Sequence, residues 1–466
     1  MIVLGLSGAL THDPSAALFV DGELVSAAEE ERFLREKHAR RCWPLHSARY
    51  CLAAAGISPA DVAAGAFPFA PFGFRYPGRW HFARRYWYAP DRALNVLFNG
   101  NRLYRRNRRA ILHLMGQLDI DSARTPFRPV PHHLAHASSA YHLSGFSGKT
   151  AILGIDGKGE YATTFFGYGE NGRIHPIREF YDPDSLGGVY GALTQYLGFE
   201  MLDGEFKVMG MAPYGDPTRY DFGRLIRCNG RSFSVNTRLV NTVGLRRYKQ
   251  EGLGFYFSPR LVEWLGPKRE GDEIDNPYVD YAASMQQLLE TVALGLIDTY
   301  LSDILRETGQ ICFAGGVALN VRLNQHIIAR PDVDELFVQP AASDAGTAIG
   351  AASYVAHALG DTIRPLEHVY LGPAFTTDAC RRACEAHPAR PSFKTVADAP
   401  DEAARLLAEG HPLAWFQGRM EFGPRALGNR SILGDPSRAG MAERINAQIK
   451  YRERWRPFCP SILDRA

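Results

Sequence analysis

Short apolar runs separated by turn residues open the chain. The first run covers Ile2 to Gly8 and ends in small residues, and the second covers Ser15 to Val20. Asp21-Gly22 follows, and then Glu23-Leu24-Val25. Because an Asp-Gly pair between apolar runs is typical of a tight hairpin turn, the pattern predicts strand, loop, strand, hairpin turn and strand.

The same order of runs returns in the middle of the chain. Ala151 to Gly157 and Thr163 to Tyr168 are apolar, and Asn171-Gly172 then precedes Arg173-Ile174. This repetition predicts an internal duplication with two halves, each opening on a hairpin sheet. A duplicated α/β fold with facing glycine turns is the architecture of the actin-like, hexokinase-like ATPases, in which a nucleotide lies between the halves. This step is an analogy of fold alone.

Two histidines lie one helical turn apart after Pro131. If the small residues that follow continue one helix, His132 and His136 leave the same face. Such a pair suits a divalent metal, and the missing ligands would be carboxylates brought in by the fold. The candidates are Asp156 and Asp344. On the spacing alone, a helix start with hydrogen-bonded core imidazoles is the alternative.

Three later turns have polar linings. Lys207 precedes small residues and a turn, where it could meet phosphate oxygens. Gly315-Gly316 follows a buried apolar run and precedes a helix start, where free backbone N–H groups favour an anion or the close approach of an adenosine. Asp344 stands at the next strand-to-helix step, and an N-cap aspartate is its alternative role.

A plausible linker, Gly360 to Pro365, precedes a second α/β segment. Ala403 to Gly410 is predicted to be helical and Leu413 to Phe416 to be a strand. The next run, Gln417 to Ser431, contains three arginines among glycines. Because guanidinium groups bind phosphate with two hydrogen bonds, the run predicts an oxyanion site, and a solvated basic face is the alternative. The basic residues here and towards the C-terminal end are Arg419, Arg425, Arg430, Lys450, Arg452, Arg454 and Arg456.

Residues 68–110 are dense in aromatic residues and arginines. Aromatic rings and guanidinium groups suit stacking on a bulky acceptor or a nucleotide. The preferred interpretation is an insertion that packs on its own domain, and acceptor binding is the second.

Composition narrows the class of protein. A chain of 466 residues predicts two or three domains, and 45% apolar with 22% charged residues is an ordinary globular composition. The net charge of +3 argues against a wholesale nucleic-acid coat. Seven scattered cysteines predict reduced thiols in a cytoplasmic protein, and helix packing is preferred to metal binding for Cys380 and Cys384. Neither a signal peptide nor a membrane span is expected.

Together these residues resemble the NodU/CmcH O-carbamoyltransferase family, and the resemblance runs from residue 1 to 466. Separately each motif is modest, but together they are highly specific. The stretches that carry it are His12-Asp13, Ala28 to Phe33, His132 to Ala137, Asp156-Gly157 with Gly159-Glu160, Lys207 to Gly210, Ala212 to Gly215, Gly315 to Asn320, Gln417 to Ser431, Lys450 to Glu453 and Arg456 to Phe458.

The resemblance implies two linked domains. Residues 1–360 would form a TsaD-like carbamoyl-transfer domain of actin-like fold with a bound iron, Fe(II) or another divalent metal. Residues 361–466 would belong to a YrdC-like α/β domain that makes carbamoyl-adenylate from carbamoyl phosphate and ATP with Mg²⁺. The implied metal ligands are His132, His136 and Asp344, completed or water-bridged by Asp156. The implied nucleotide residues are Asp156, Gly157, Lys207, Gly315, Gly316 and Asn320, and the implied carbamoyl-phosphate ligands are Arg419, Arg425, Lys450 and Arg456.

The resemblance also implies a reaction. Carbamate formed from carbamoyl phosphate would attack the α-phosphorus of ATP, and the carbamoyl group would then pass to a hydroxyl of a small-molecule acceptor, such as a natural product in antibiotic biosynthesis. The most plausible base is His12, assisted by Asp13, although a structural His-Asp pair is an alternative. The acceptor and the oligomeric state cannot be read from the sequence.

One departure stands out. Members of the family usually continue for roughly a hundred residues beyond the motif near Pro457, so the second domain is expected to be incomplete here and its synthesis of carbamoyl-adenylate is in doubt.

Two other functions compete with the carbamoyltransferase interpretation. One is a tRNA threonylcarbamoyl transferase-like enzyme, in which residues 68–110 would hold RNA, although the fused Gln417 to Ser431 segment argues against nucleic acid. The other is a non-catalytic nucleotide-binding regulator, because an actin-like fold implies no chemistry by itself.

Overall fold

A computed structural model describes residues 1–8, 12–240, 249–250, 253–254, 256–271 and 273–463. The chain forms two compact units, Met1–Glu367 and His368–Ala466. None of the described helices is both long and apolar enough to cross a membrane. All seven cysteines are free thiols, as the sequence predicts.

Both units contain strands and helices. The strands are β1 Ile2–Ser7, β2 Ser15–Val20, β3 Glu23–Glu29, β4 Ala64–Phe67, β5 Phe127–Pro129, β6 Thr150–Ile155, β7 Ala162–Glu170, β8 Arg173–Tyr181, β9 Ile226–Cys228, β10 Phe233–Val235, β11 Lys249–Gln250, β12 Leu253–Gly254, β13 Gln310–Ala314, β14 Glu335–Val338, β15 Leu413–Phe416 and β16 Arg430–Leu433. The α-helices are α1 Glu31–Leu34, α2 Leu45–Ala55, α3 Pro77–Arg85, α4 Pro90–Asn99, α5 Arg102–Gln117, α6 His132–Tyr141, α7 Leu186–Tyr196, α8 Glu205–Met211, α9 Pro259–Leu265, α10 Tyr278–Tyr300, α11 Ser302–Thr308, α12 Val321–Ile328, α13 Thr347–Ala358, α14 Thr377–Ala386, α15 Ala399–Ala408 and α16 Met441–Ile445.

The first unit contains two five-stranded sheets with the same topology. Their strand orders are β3-β2-β1-β4-β5 and β8-β7-β6-β13-β14. In each sheet the first three strands form an antiparallel meander, and the last two run parallel to the central strand. The turns Asp21-Gly22 and Asn171-Gly172 occupy equivalent hairpins, and all four residues have positive φ. The predicted duplicated, actin-like α/β fold is confirmed.

Two helices, α6 and α13, pack together and join the halves. Helix α13 lies on β1, β2 and β4, whereas α6 lies on β6, β7 and β13. Close contact depends on two glycines, because a Cβ atom at Gly5 would lie 2.0 Å from the carbonyl oxygen of Ala348 and one at Gly350 would lie 1.8 Å from that of Ala135. The helix that carries the paired histidines is therefore fixed between the two sheets.

The predicted insertion at residues 68–110 contains helices α3 and α4 and half of α5. Phe82 and Tyr86 are buried together in a small apolar cluster, and α5 adds Ile111 and Leu114 to the core of the first sheet. This part of the chain packs on its own unit, which was the preferred interpretation, and it also lines a cavity that is described below.

The second unit is built around an antiparallel hairpin of β15 and β16 with helices α14 to α16. The strand predicted at Leu413 to Phe416 is confirmed, and the helix predicted at Ala403 to Gly410 begins earlier, at Ala399. The side chain of Asp398 caps that helix by accepting a hydrogen bond from the N–H of Asp401, which explains the earlier start.

Candidate functional site

The paired histidines lie on one face of α6, as their spacing predicts. His132 and His136 are buried, and their Nε2 atoms are 3.1 Å apart. The imidazole of His132 also bonds through Nδ1 to the carbonyl oxygen of Pro68, at 3.2 Å. Because Nδ1 is then the donor, Nε2 carries the lone pair and faces His136.

Both predicted carboxylates meet these histidines. Asp156 follows β6, and its Oδ2 lies 3.5 Å from His132 Nε2. Asp344 follows β14, and its Oδ1 lies 3.4 Å from His132 Nε2 and 3.6 Å from His136 Nε2. Ser343, rather than Asp344, occupies the N-cap position of the short turn, so the alternative role of Asp344 as an N-cap is not observed.

These four side chains fit a divalent metal ion. One donor atom from each lies within 4.8 Å of all the others, and the set combines two imidazole nitrogens with two carboxylates. Burial raises the pKa of Asp344, but the charge and hydrogen bond of His132 hold it well below its usual range. Burial lowers the pKa of His132, but Asp344 and Asp156 hold it well above its usual range. The cluster thus stabilises added positive charge at its centre.

Helix α6, which carries the paired histidines, is anchored by a buried carboxylate, Glu160. It accepts a hydrogen bond from the backbone N–H of His132, at 3.2 Å, and another from the N–H of Ala70, at 2.7 Å. Glu160 therefore satisfies a free donor at the start of α6 and ties the segment after β4 to it. The sequence contains Glu160 within a recognised motif, but this long-range role has no local signal.

His12 and Asp13 lie beside the cluster. Asp13 Oδ2 is 3.0 Å from His12 Nδ1, and the Nε2 of His12 is 3.7 Å from Asp344 Oδ2. Burial lowers the pKa of His12, but the hydrogen bond with Asp13 and the charge of Asp344 raise it to about 9. The second oxygen of Asp13 is 2.8 Å from His38 Nδ1. His38 was missed by the sequence reasoning, since only the folded chain brings it to Asp13.

The predicted nucleotide turns meet at the carboxyl ends of two adjacent parallel strands, β6 and β13. Asp156 Oδ1 accepts a hydrogen bond from the backbone N–H of Gly316, at 2.9 Å. Gly315 has φ +96°, and a Cβ there would lie 2.3 Å from the carbonyl oxygen of Ile155. In contrast, a Cβ at Gly157 would meet no atom within 4 Å. The carboxyl edge of parallel strands is where ligands of α/β folds bind.

Asn320 and Lys207 have structural contacts of their own. Asn320 caps α12 by accepting from the N–H of Leu323, at 3.0 Å, and exchanges amide hydrogen bonds with Gln286. Lys207 lies in α8 with its ammonium 5.2 Å from the ring centroid of Phe199. Their roles in nucleotide binding stay predictions.

Five basic residues of the predicted oxyanion site in the second unit fall into two groups. Arg419 donates to the carbonyl oxygens of Leu371 and Gly372, and Arg430 donates to several carbonyls and covers the ring of Phe416. These two guanidinium groups therefore hold the backbone of the hairpin, and a role of Arg419 as an anion ligand stays a prediction.

Arg425, Lys450 and Arg456 form the other group. Desolvation and the charge of Arg456 lower the pKa of Arg425, although the Arg425 side chain still reaches solvent. Desolvation, followed by the charges of Arg452 and Arg456, also lowers the pKa of Lys450. Cations that repel one another in this way are stabilised by a bound anion.

Two family models match this chain. The Carbamoyltransferase N-terminus model matches residues 2–353, and the Carbamoyltransferase C-terminus model matches residues 404–466. The chain belongs to the carbamoyltransferase family. The first model covers both duplicated sheets and the candidate metal cluster, and the second covers the hairpin and the four predicted carbamoyl-phosphate ligands.

Curated relatives match most of this chain. The nodulation protein NolNO of Sinorhizobium fredii is 35% identical over 100% of this chain and 66% of its own length. An uncharacterised protein of Synechocystis is 36% identical over 99% of this chain and 75% of its own length. The nodulation protein NolO of Bradyrhizobium diazoefficiens is 37% identical over 72% of this chain and 58% of its own length. The chain thus spans less than two thirds of the length of NolNO and NolO.

Solved structures with similar chain traces are more distant. The activator of the 2-hydroxyisocaproyl-CoA dehydratase of Clostridium difficile, with bound ADPNP, is 11% identical with a TM-score of 0.39, and the match covers 77% of this chain and 95% of the activator. HypF in a phosphate- and nucleotide-bound form is 12% identical with a TM-score of 0.37, over 77% of this chain and 56% of HypF. At these scores the similarity adds no argument to the strand topology.

Proposed function

We propose that this protein is an ATP-dependent O-carbamoyltransferase that moves the carbamoyl group of carbamoyl phosphate, through carbamoyl-adenylate, to a hydroxyl group of a small-molecule acceptor. The observation that carries the proposal is the shared position of Asp156, which belongs to the His132, His136 and Asp344 cluster and also binds the Gly316 turn. An adenylate held at that turn would place its carbamoyl group beside the cluster and beside His12.

The transfer step needs a base and an electrophile. In its neutral form, His12 accepts the proton of the acceptor hydroxyl at Nε2, because Asp13 holds the Nδ1 side of the ring. The hydroxyl oxygen bonds to the carbamoyl carbon as the bond from that carbon to the phosphate oxygen breaks. The products are the O-carbamoyl ester and AMP, and the proton remains on His12 until solvent removes it.

A divalent metal ion, Fe(II) in this proposal, would be held by His132, His136, Asp156 and Asp344 and would supply Lewis-acid polarisation of a carbamoyl or phosphate oxygen. The protein residues orient this chemistry. Pro68 fixes the ring of His132 through its carbonyl, and Glu160 fixes the start of α6. Ser7 is also fixed, since its hydroxyl donates to the carbonyl oxygen of Asp344 at 2.8 Å.

The adenylation step belongs to the second unit in this proposal. Arg425, Lys450 and Arg456 offset the charges of carbamoyl phosphate and of ATP with its Mg²⁺. Water first hydrolyses carbamoyl phosphate to carbamate and phosphate, and a carbamate oxygen then attacks the α-phosphorus of ATP while pyrophosphate leaves. The use of ATP and the seven free thiols support a cytoplasmic reaction.

The proposal is tested by following pyrophosphate and the carbamoylated product separately. The protein is incubated with Fe(II), Mg²⁺, ATP and carbamoyl phosphate, with and without a panel of polyol acceptors. Release of pyrophosphate and formation of an O-carbamoyl ester are expected. No release, but ester formation from supplied carbamoyl-adenylate, would restrict the activity of this chain to transfer. Failure of both would refute the proposal.

A further inference from the structure

A cavity of about 360 Å³ opens beside the candidate metal cluster in the first unit. Its polar wall contains His12, His132 and Asp344, and Ser7 lies next to them. The size is within the ordinary range of small-molecule sites. A molecule in this cavity would contact the proposed base directly.

Another part of the lining is apolar and aromatic. It is formed by Phe67, Phe69, Phe72, Leu103 and Tyr161. Aromatic rings of this kind accommodate the C–H face of a ring-shaped ligand, while its hydroxyl groups point to the other side. The two unlike walls therefore favour a ligand with one apolar and one polar face.

The aromatic wall is held in place before any ligand enters. Asn101 Oδ1 accepts from the backbone N–H of Phe72 at 3.1 Å, and Asn101 Nδ2 donates to the carbonyl oxygen of Phe72 at 2.7 Å. The ring of Phe72 meets the ring of Tyr161 edge to face, with centroids 5.3 Å apart. A wall fixed in this way loses little entropy on binding.

Asn107 is a lining residue of this cavity with an unsatisfied hydrogen-bond acceptor. It lies on α5 among the residues that line the cavity, and it is only 2% exposed. Its Oδ1 atom has no hydrogen-bond partner among the described residues. A buried amide oxygen left unpaired is costly, so a hydroxyl group of a ligand in the cavity would complete it.

The charges around the cavity indicate a neutral ligand. Lys158 is paired with Asp182 at 2.5 Å, and Glu160 is bonded to two backbone N–H groups. Asp344 faces the histidines of the metal cluster. Among the described residues that line the cavity, no further carboxylate is left to hold an ammonium group.

We propose that this cavity is the acceptor subsite, that it takes one neutral polyol ring with its apolar face against Phe72 and Tyr161, and that Asn107 selects the ring by hydrogen bonding to its hydroxyl groups. The inference rests on the proposed carbamoyl transfer for its role, but not for the binding itself. Asn107 is a specificity residue in this proposal, because it lines the cavity but belongs neither to the candidate metal cluster nor to the His12–Asp13 pair.

The test measures binding without ATP or donor, by saturation-transfer NMR on the full chain. The three probes are methyl glucoside, methyl glucosaminide, which carries an ammonium group, and cyclohexanol, which lacks the other hydroxyls. Methyl glucoside is expected to bind most tightly, and Asn107→Leu is expected to weaken it about tenfold. Asn107→Asp is expected to favour methyl glucosaminide, because it adds a carboxylate.

The matched control is Asn95→Leu, at an exposed position of α4, which is expected to leave binding unchanged. Thermal unfolding separates binding from folding, since Asn107→Leu removes an unpaired polar atom and is expected not to lower the melting temperature. Tightest binding of cyclohexanol or the glucosaminide, absence of glucoside binding, or equal glucoside binding by wild type and Asn107→Leu would each overturn the subsite. Glucoside binding without carbamoyl transfer to any acceptor would instead refute the proposed function.

Discussion

The backbone N–H of Gly316 donates a 2.9 Å hydrogen bond to Asp156 Oδ1, while Asp156 Oδ2 faces His132. A single carboxylate therefore belongs both to the candidate metal cluster and to the glycine turn of the neighbouring strand. The reason is topological, because β6 and β13 are adjacent and parallel and both end at the same edge. Metal and nucleotide sites that share a residue are expected to respond together to its loss.

Replacing Asp156 by Ala is expected to weaken both metal and nucleotide binding, whereas His136→Ala weakens metal binding alone. Each change removes one ligand, and a loss of at least about tenfold in metal affinity is expected. Metal content after gel filtration and titration with an ATP analogue measure the two effects. His411→Ala, at an exposed position of the second unit, is the control. Full metal content in His136→Ala would contradict the assignment.

Two alanine variants separate the fold of the nucleotide turn from ligand binding. Gly157→Ala meets no atom within 4 Å, so its free energy of unfolding is expected to change by less than about 1 kcal/mol. Its nucleotide affinity is expected to fall, because the methyl group fills the space of the ligand. Gly315 has φ +96°, and an added Cβ would clash with the carbonyl oxygen of Ile155. Gly315→Ala is therefore expected to lower the free energy of unfolding by more than about 1 kcal/mol. Chemical denaturation measures both, and unchanged ATP-analogue binding by Gly157→Ala would place the nucleotide elsewhere.

His12→Asn is expected to slow carbamoyl transfer by about 10²- to 10⁴-fold, because the variant lacks the proposed base. Asp13→Asn is expected to slow it less, since His12 remains. Pyrophosphate release should be equal in both variants and in wild type, because adenylation uses other residues. The two rates are measured in one reaction with separate detection of pyrophosphate and ester. An equal loss of both rates would contradict the role of His12 in transfer.

Arg425→Ala is expected to abolish pyrophosphate release and to leave ester formation from supplied carbamoyl-adenylate unchanged. The guanidinium of Arg425 lies close enough to Arg456 for that charge to lower its pKa, so both can face one anion. The exposed Arg454 provides a matched control, and Arg454→Ala should retain both activities. Retained pyrophosphate release in Arg425→Ala would show that the adenylation site lies elsewhere.

Acidification is expected to destabilise the first unit through His142. Its Nε2 donates to the carbonyl oxygen of Gly172 and its Nδ1 bonds to the hydroxyl of Ser138. Burial, and to a lesser extent the charge of His357, lowers the pKa of His142 to about 4. The folded state thus binds fewer protons than the unfolded state, and stability present above pH ~6.5 is lost as the pH falls towards ~4.

Acidification from pH 7 to pH 5 is expected to lower the free energy of unfolding by roughly 2 kcal/mol through the protonation of His142. The measurement compares urea unfolding of wild type and His142→Gln at the two pH values. The variant should lose less stability on acidification, because glutamine does not titrate. Equal losses in both proteins would contradict the assignment.

The sequence predicted what local patterns can encode. The Asp21-Gly22 and Asn171-Gly172 hairpins follow from turn chemistry, and the face shared by His132 and His136 follows from helical spacing. The duplication predicted the matching sheets. The family resemblance, rather than any pattern, supplied the pairing of Asp344 with these histidines, since nothing local connects residues more than 200 positions apart.

Other parts of the site depend on contacts that no local pattern reveals. Glu160 bonds to Ala70 across 90 residues, and Asn107 becomes unusual only because the fold buries its amide without a partner. The arginines of the second unit also differ in ways that the sequence does not reveal. Arg419 and Arg430 looked equivalent to Arg425 in the sequence, but the first two guanidinium groups bind backbone carbonyls. The composition of a segment gives the number of its cationic residues, but not the hydrogen bonds that each of them makes in the folded chain.

The carboxylate of Glu160 also limits how the family can diversify. It bonds to Ala70 and to the first residue of α6, so a change of backbone in the segment between β4 and α3 would displace the candidate metal ligand His132. Leu103 and Asn107 of helix α5 also line the cavity, and among the described residues the hydrogen bonds of Glu160 do not involve this helix. Evolution of a new acceptor preference is therefore expected to change α5 first and to leave the segment around Ala70 almost fixed.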